Sequence, residues 1–134
     1  LRYFNIFGEG QTLEYAGVIT KFLDRIRERK SPIIFGDGSQ IRDFVFVQDV
    51  VMGNLLAMTS NVTNSLINIG TGTALTILEL ANMIIDISKL DLKPIFEKSL
   101  EGDIKKSHAD ITLAVQSLNW KPKKDLREWL MEVI

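Results

Sequence analysis

The residues best suited to chemistry gather around one stretch, Phe35–Asp49, which reads FGDGSQIRDFVFVQD. It sets Arg42 directly after a two-glycine turn and at the entrance to an apolar strand. A guanidinium presents a planar fork of donors that matches phosphate oxygens. Two readings of Arg42 stand side by side: a phosphate or diphosphate held beside the turn, or an ion pair with Asp43 or another carboxylate. Asn5 is polar within the apolar run LRYFNIF, and it either donates to a ligand or is an amide tied to backbone. Asp103, after Gly102, could receive a sugar hydroxyl or be a solvated loop aspartate. Gly70-Thr71-Gly72 could bring backbone close to a ligand, or be a plain strand-to-helix turn. His108 is the single histidine, and with no second imidazole it reads as a surface or capping residue rather than a metal ligand. Trp120 and Trp129 read as packing residues. No Ser–His–Asp set, paired-carboxylate spacing or metal cluster can be assembled, so the residues alone describe an α/β fragment with a candidate phosphate site.

The elements that must hold these residues follow from periodicity and breakers. Leu1–Phe7 reads as a strand covered on both faces, ended by Gly8-Glu9-Gly10-Gln11. Tyr15–Arg29 carries Val18, Ile19, Phe22, Leu23 and Ile26 at helical spacing, with charged residues opposite. Lys30-Ser31-Pro32 stops it, and Ile33–Phe35 is a short strand leading into the turn. Gly36-Asp37-Gly38-Ser39 is the turn, because glycine takes positive φ freely and Asp and Ser cap turns. The strand Arg42–Val47 puts Phe44 and Phe46 on one face and Val45 and Val47 on the other. Asp49 is placed to cap the next helix, which runs to about Ser60 with Val50, Val51, Leu55, Ala57 and Met58 turned partly or wholly inward. Leu66–Ile69 is a strand. Thr76-Ile77-Leu78-Glu79 is a capping box opening a helix to about Leu90. Pro94–Glu97 is a short strand and Ser99–Ser107 a polar loop. Asp110 caps a short helix to Leu118, and Asp125 caps a closing helix through Val133.

Composition sets the bounds. The chain has 134 residues, 46% of them hydrophobic and 25% charged, with a net charge of −1 and no cysteine. That describes one ordinary globular domain. It gives no ground for a nucleic-acid or membrane partner. It excludes disulfides, thiolate nucleophiles and zinc–thiolate sites, and points to a reducing cytoplasm. There is no complete G-x-G-x-x-G fingerprint and no P-loop.

Four runs, in order, resemble motifs of the NAD-dependent epimerases and dehydratases of the extended short-chain dehydrogenase/reductase family. Leu1–Gln11, LRYFNIFGEGQ, is similar to R-Y-F-N-V-Y-G-P-x-Q. Phe35–Val51 is similar to G-D-G-x-Q-x-R-D-F-V-Y-V-x-D-V-V. INIGTGTALTILEL, at Ile67–Leu80, is similar to N-I-G-x-G-x-x-x-S-x-x-E-L. Gly102–Trp120 is similar to G-D-I-x-x-x-x-A-D-I-x-x-A-x-x-x-L-G-W. Together they cover nearly all of the chain. Within the family the likeness is greatest to UDP-glucose 4-epimerase-like enzymes, with 4,6-dehydratases as sisters and a non-catalytic binding module as the reading from another class.

The resemblance implies that residues 1–134 are the C-terminal, substrate-binding part of an extended Rossmann-type fold, with 1–7 a strand of the larger sheet. The family's Tyr-x-x-x-Lys pair is absent, since Ile19 stands four places after Tyr15, so no catalytic residue is expected here and the chain alone should be inactive. NAD would be bound mainly by a preceding half, with Tyr3 and Phe4 bordering its nicotinamide end. Asn5 and Arg42 match diphosphate-binding positions of a UDP-hexose, Ile33 and Phe35 flank the base, and Asp103 matches a ribose-binding aspartate. There are two departures. Leu100 stands where a second diphosphate arginine is common, with Lys98 or Lys105 as substitutes for its charge, and Asn119 replaces a glycine. An unpaired edge at Leu1–Phe7 implies a homodimer or other self-association.

Overall fold

The computed structural model describes residues 1–11 and 17–134; the first residues of the expected first helix, Tyr15 and Ala16, lie outside them. The fold is a mixed α/β, Rossmann-like arrangement built on one central strand. In chain order the elements are β1 (Arg2–Tyr3), β2 (Asn5–Phe7), α1 (Val18–Arg27), β3 (Ile33–Phe35), β4 (Ile41–Phe46), α2 (Val47–Thr59), β5 (Asn68–Ile69), β6 (Ala74–Thr76), α3 (Ile77–Ser88), β7 (Ile95–Glu97), β8 (Lys106–Ser107), α4 (Thr112–Leu118) and α5 (Leu126–Val133).

Strand β4 organises the rest. Its second half pairs parallel with β2, Asn5 opposite Phe44 and Phe7 opposite Phe46. Its first half pairs antiparallel with β6, Arg42 opposite Leu75, and parallel with β8, Arg42 opposite Ser107. The alternation read from the sequence holds as far as Phe46, whereas Val47, expected to end the strand, is the first residue of α2. Phe44 and Phe46 pack into one core with Phe7, Phe22, Leu80, Ile84 and Trp129, while Val45 enters a second core with Val50, Ile69, Leu118 and Trp120. Successive side chains of a strand point to opposite faces, so one six-residue strand anchors both layers.

The N-terminal run differs from expectation. Rather than one covered strand, it breaks at Phe4. β1 pairs parallel with β5, and β2 pairs with β4. Arg2 and Tyr3 are exposed, and among the described residues β5 is the one strand beside β1. Helix α2 is a second correction. Val50 is buried, but Val51, Leu55 and Met58 are 52, 50 and 81% exposed, so they face outward. Apolar residues occur on every side of the helix, beside Gln48, Asp49 and Asn54, and which side turns in is decided by fit. A Cβ on Gly53 would stand 3.1 Å from Ile69 Cδ1 and 3.3 Å from Trp120 Nε1, so the helix lies close to the sheet along that line.

Caps follow the sequence in two cases and shift in two. Thr76 Oγ1 accepts from Glu79 N at 3.1 Å and the Glu79 carboxylate accepts from Thr76 N at 2.7 Å, completing the capping box. Asp125 accepts from the Arg127 and Glu128 amides. Asp110 accepts from Thr112 N at 2.9 Å, although Ile111 is the boundary residue of α4. Asp49 is no cap. Phe46 holds that position, and the Asp49 carboxylate, 6% exposed, accepts instead from the Lys123 and Lys124 amides at 3.0 and 3.1 Å. Its carbonyl accepts from the Trp120 indole at 2.9 Å. The loop after α4 is thereby fastened to the start of α2, which no local rule could foresee.

Candidate functional site

A cleft of about 240 Å³ opens between the start of α1, strands β2, β3 and β4, and the loop before β8. Asn5, Ile33, Phe35, Arg42 and Asp103 all line it. They arrive from four segments separated by up to 98 positions of sequence, counted from Asn5 to Asp103. Tyr3 and Phe4 lie outside this lining. Tyr3 is 45% exposed on β1, and its hydroxyl donates to Asn54 Oδ1 at 2.8 Å.

The turn that delivers Arg42 is set by its residue types. Gly36 and Gly38 take φ of +82° and +78°, as the sequence implies. Asp37 Oδ1 accepts from the amide and hydroxyl of Ser39 at 2.9 and 2.6 Å. Those bonds, hydroxyl first, hold the Asp37 carboxyl below the usual carboxylate range. A Cβ on Gly38 would stand 2.9 Å from Leu78 Cβ, and the Leu78 amide donates to Gly38 O at 3.0 Å. The turn is thus seated on the first turn of α3.

Arg42 is paired, but not with its neighbour. Its Nη2 donates to Asp103 Oδ1 at 2.6 Å, and its Nη1 donates to Ile41 O at 2.9 Å and to Ile104 O. Adjacent residues on a strand face opposite ways, which puts Asp43 out of reach. An arginine has five N–H donors, so among the described residues two remain for a ligand. The arginine is neutralised in the free protein, yet it lies in the same cleft as Asn5. Asn5 itself follows the backbone reading: Nδ2 donates to Asp43 O at 3.0 Å.

Asp43 has a separate task. It is fully buried. Oδ1 accepts from Thr71 N at 2.7 Å and Thr71 Oγ1 at 2.8 Å, and Oδ2 accepts from Gly72 N at 2.9 Å and Ala109 N at 3.2 Å. A buried carboxylate is tolerated when its lone pairs are satisfied in this way. The Gly70-Thr71-Gly72 segment is accordingly a wrap around Asp43. His108, exposed, has Nε2 2.9 Å from Gly72 O. The described residues contain no group of metal-ligating side chains.

Three residues of the cleft were not singled out from sequence. Gln40 Nε2 donates to Phe35 O at 2.6 Å and to Asp103 Oδ2 at 3.0 Å, tying the base of the turn to the arginine's partner. It stands two residues before Arg42, and strand alternation could have placed it on the same side. Gln11 spans Ile6 O and the Thr20 hydroxyl. Lys21 enters from the first turns of α1, and a lysine on the polar face of an amphipathic helix carries no sequence signal of a site. Leu100 also lines the cleft, whereas Lys98 and Lys105, offered as substitutes for the arginine missing at that position, do not. No helix among the described residues is long and apolar enough to cross a membrane.

Comparison with known proteins is consistent with this geometry. The model of the NAD dependent epimerase/dehydratase family matches residues 1–70. A putative UDP-glucose 4-epimerase of Methanocaldococcus jannaschii is 43% identical over 135 residues, covering 100% of this chain and 43% of the relative. UDP-glucuronic acid decarboxylase 1 of Arabidopsis thaliana is 32% identical, covering 99% of this chain and 30% of its own length. The crystal structure of UDP-glucose 4-epimerase from Thermotoga maritima, with UDP-glucose, superposes with a TM-score of 0.92 at 40% identity, over 97% of this chain and 42% of that one. A UDP-glucuronic acid 4-epimerase of Bacillus cereus, solved with UDP-glucuronic acid and NAD, gives 0.87 at 31% identity, over 96% and 41%. The chain spans less than half the length of these relatives.

Proposed function

Because the chain belongs to the NAD-dependent epimerase/dehydratase family, we propose that it is the nucleotide-sugar-binding part of a UDP-hexose 4-epimerase. The observation that carries this reading is the convergence of Arg42, Asn5 and Asp103 on one cleft with Ile33 and Phe35. In this reading the base lies against Ile33 and Phe35, Arg42 grips the diphosphate, and Asp103 receives ribose hydroxyls.

The free arrangement explains how one carboxylate could serve that role. Asp103 neutralises Arg42 until an anion arrives; the diphosphate then takes over the guanidinium, and Asp103 is released toward the hydroxyls while Gln40 keeps its other oxygen in place. Exchange of one anionic partner for another limits the desolvation penalty of a mostly buried arginine. NAD, the family's cofactor, supplies hydride acceptance and return when bound. The Tyr3 ring is open enough to border its nicotinamide end, with Phe4 beside it, but the described residues offer no glycine cradle for its pyrophosphate. The chain's own residues therefore bind and orient the sugar nucleotide.

The test is calorimetry of the full-length protein with UDP and with uridine. Replacing Arg42 by Met should weaken UDP at least tenfold, the effect of one charge-assisted bond of about 1.5–3 kcal/mol, and leave uridine nearly unchanged. No UDP binding by the unmodified protein, or equal losses for both ligands, would refute the assignment. The self-association expected of the isolated chain would use the open edge of β1 and the apolar outer side of α2; a clean monomer in light scattering at high concentration would count against it.

A further inference from the structure

Charge bookkeeping within the cleft gives Lys21 a role that its place on a polar helix face conceals. Among the described residues that line the cleft, three carry formal charge: Lys21, Arg42 and Asp103. Arg42 and Asp103 form an ion pair at 2.6 Å, their side chains 13 and 29% exposed, so they cancel. Lys21 has no ion-pair partner among the described residues. The net positive charge of the free cleft is therefore the ammonium of Lys21. We propose that Lys21 is the second cationic contact to the diphosphate, taking the place of the arginine that Leu100 replaces, and the charge that first draws the anion in.

Several observations support this assignment. Leu100 lines the cleft and offers no donor, while Lys98 and Lys105 lie outside the lining. Lys21 lies one turn into α1, whose first turn contains no acidic residue and whose boundary residue, Gly17, makes no side-chain cap. The lysine thus approaches the cleft from a helix end that already favours negative charge. A lysine is a flexible point charge rather than a fork, so it can follow a phosphate without competing for the geometry that Arg42 imposes. It also needs no release step, whereas Arg42 must exchange Asp103 for the ligand.

The inference rests on the sugar-nucleotide reading of the cleft, and its test separates the two. In the full-length protein, UDP and uridine affinities are measured by calorimetry at low and high salt for the unmodified protein, K21M, K21R and K98M. Methionine and arginine both favour helix, so the fold should be retained. The expected result is a loss of roughly tenfold for UDP in K21M, restored in K21R, with uridine within about twofold and the salt dependence of UDP binding reduced. K98M should bind as the unmodified protein does. If the unmodified protein binds UDP and K21M binds it equally well, the Lys21 assignment fails and the sugar-nucleotide reading stands. If K21M loses UDP and uridine in parallel, Lys21 is a structural residue and the assignment fails likewise. If the unmodified protein binds no UDP, both fall together.

Discussion

Replacing Asp43 tests the physical account of the fold most directly, because one carboxylate closes three segments at once. It is fully buried and satisfies the backbone N–H groups of Thr71, Gly72 and Ala109 as well as the Thr71 hydroxyl. In Asp43→Ala three amide donors lose their acceptor. A stranded buried donor costs about 1–3 kcal/mol; the Ala109 bond is buried and those of Thr71 and Gly72 are part-buried, so the loss should be at least about 2 kcal/mol, a sizeable part of the 5–15 kcal/mol typical of a whole domain. Asp43→Asn keeps the volume and one acceptor oxygen. If that oxygen faces Gly72 and Ala109, its NH₂ faces the Thr71 hydroxyl, which can turn to accept, and one amide stays stranded. The cost is then about 1–3 kcal/mol. Urea unfolding of the full-length protein should give midpoints in the order wild type, Asn, Ala, with similar slopes. As a contrast, Asp110 accepts one amide at an exposed position, so Asp110→Ala should lose no more than about 1 kcal/mol. If Asp43→Ala were to unfold within 1 kcal/mol of wild type, or no further from it than Asp110→Ala, the reasoning would be wrong. Because Asp43 adjoins Arg42, the alanine variant should also bind UDP less well, through disorder of the strand rather than loss of a ligand contact.

Other outcomes are more local. Gly70→Ala would set a Cβ 2.5 Å from Ala109 Cβ and 3.2 Å from Asp43 Oδ2, so thermal unfolding should show a loss of about 1–3 kcal/mol; an unchanged midpoint would mean that the wrap is looser than drawn. Thr76→Ala should cost about 1 kcal/mol by removing the capping oxygen, measured by urea unfolding. The bonds from Thr76, backbone first, hold the Glu79 carboxyl below its ordinary value of 4.5. A lowered folded value means stability present above about pH 4.5 and lost as pH falls through the lowered value, so the gap between wild type and Glu79→Ala should narrow in acid. A gap that widened there would refute the cap. Leu100→Arg should tighten UDP binding by roughly tenfold, the lower end for a charge-assisted contact at a half-exposed position, and leave uridine unaffected; calorimetry showing no gain would place residue 100 away from the phosphates.

The sequence by itself settled what is local. The helix of Val18, Ile19, Phe22, Leu23 and Ile26, the two faces of β4, the glycine turn and the capping box are each encoded within a few residues, by periodicity, by φ preference or by a side chain reaching its own backbone. The family was legible too, because its motifs lie along the chain in order. What tertiary structure alone decided is who meets whom. Asp49 looked like a cap and instead holds a loop more than 70 positions away, since a buried carboxylate takes whichever donors packing brings to it. Val51, Leu55 and Met58 looked inward and face out, because a helix with apolar residues on every side has too little periodicity to orient it and the close approach at Gly53 chose the buried side. Arg42 found Asp103 rather than Asp43, and Lys21 came to the cleft, for the same reason. A charge has no preferred partner in one dimension; the fold supplies the distance, and distance fixes the pairing.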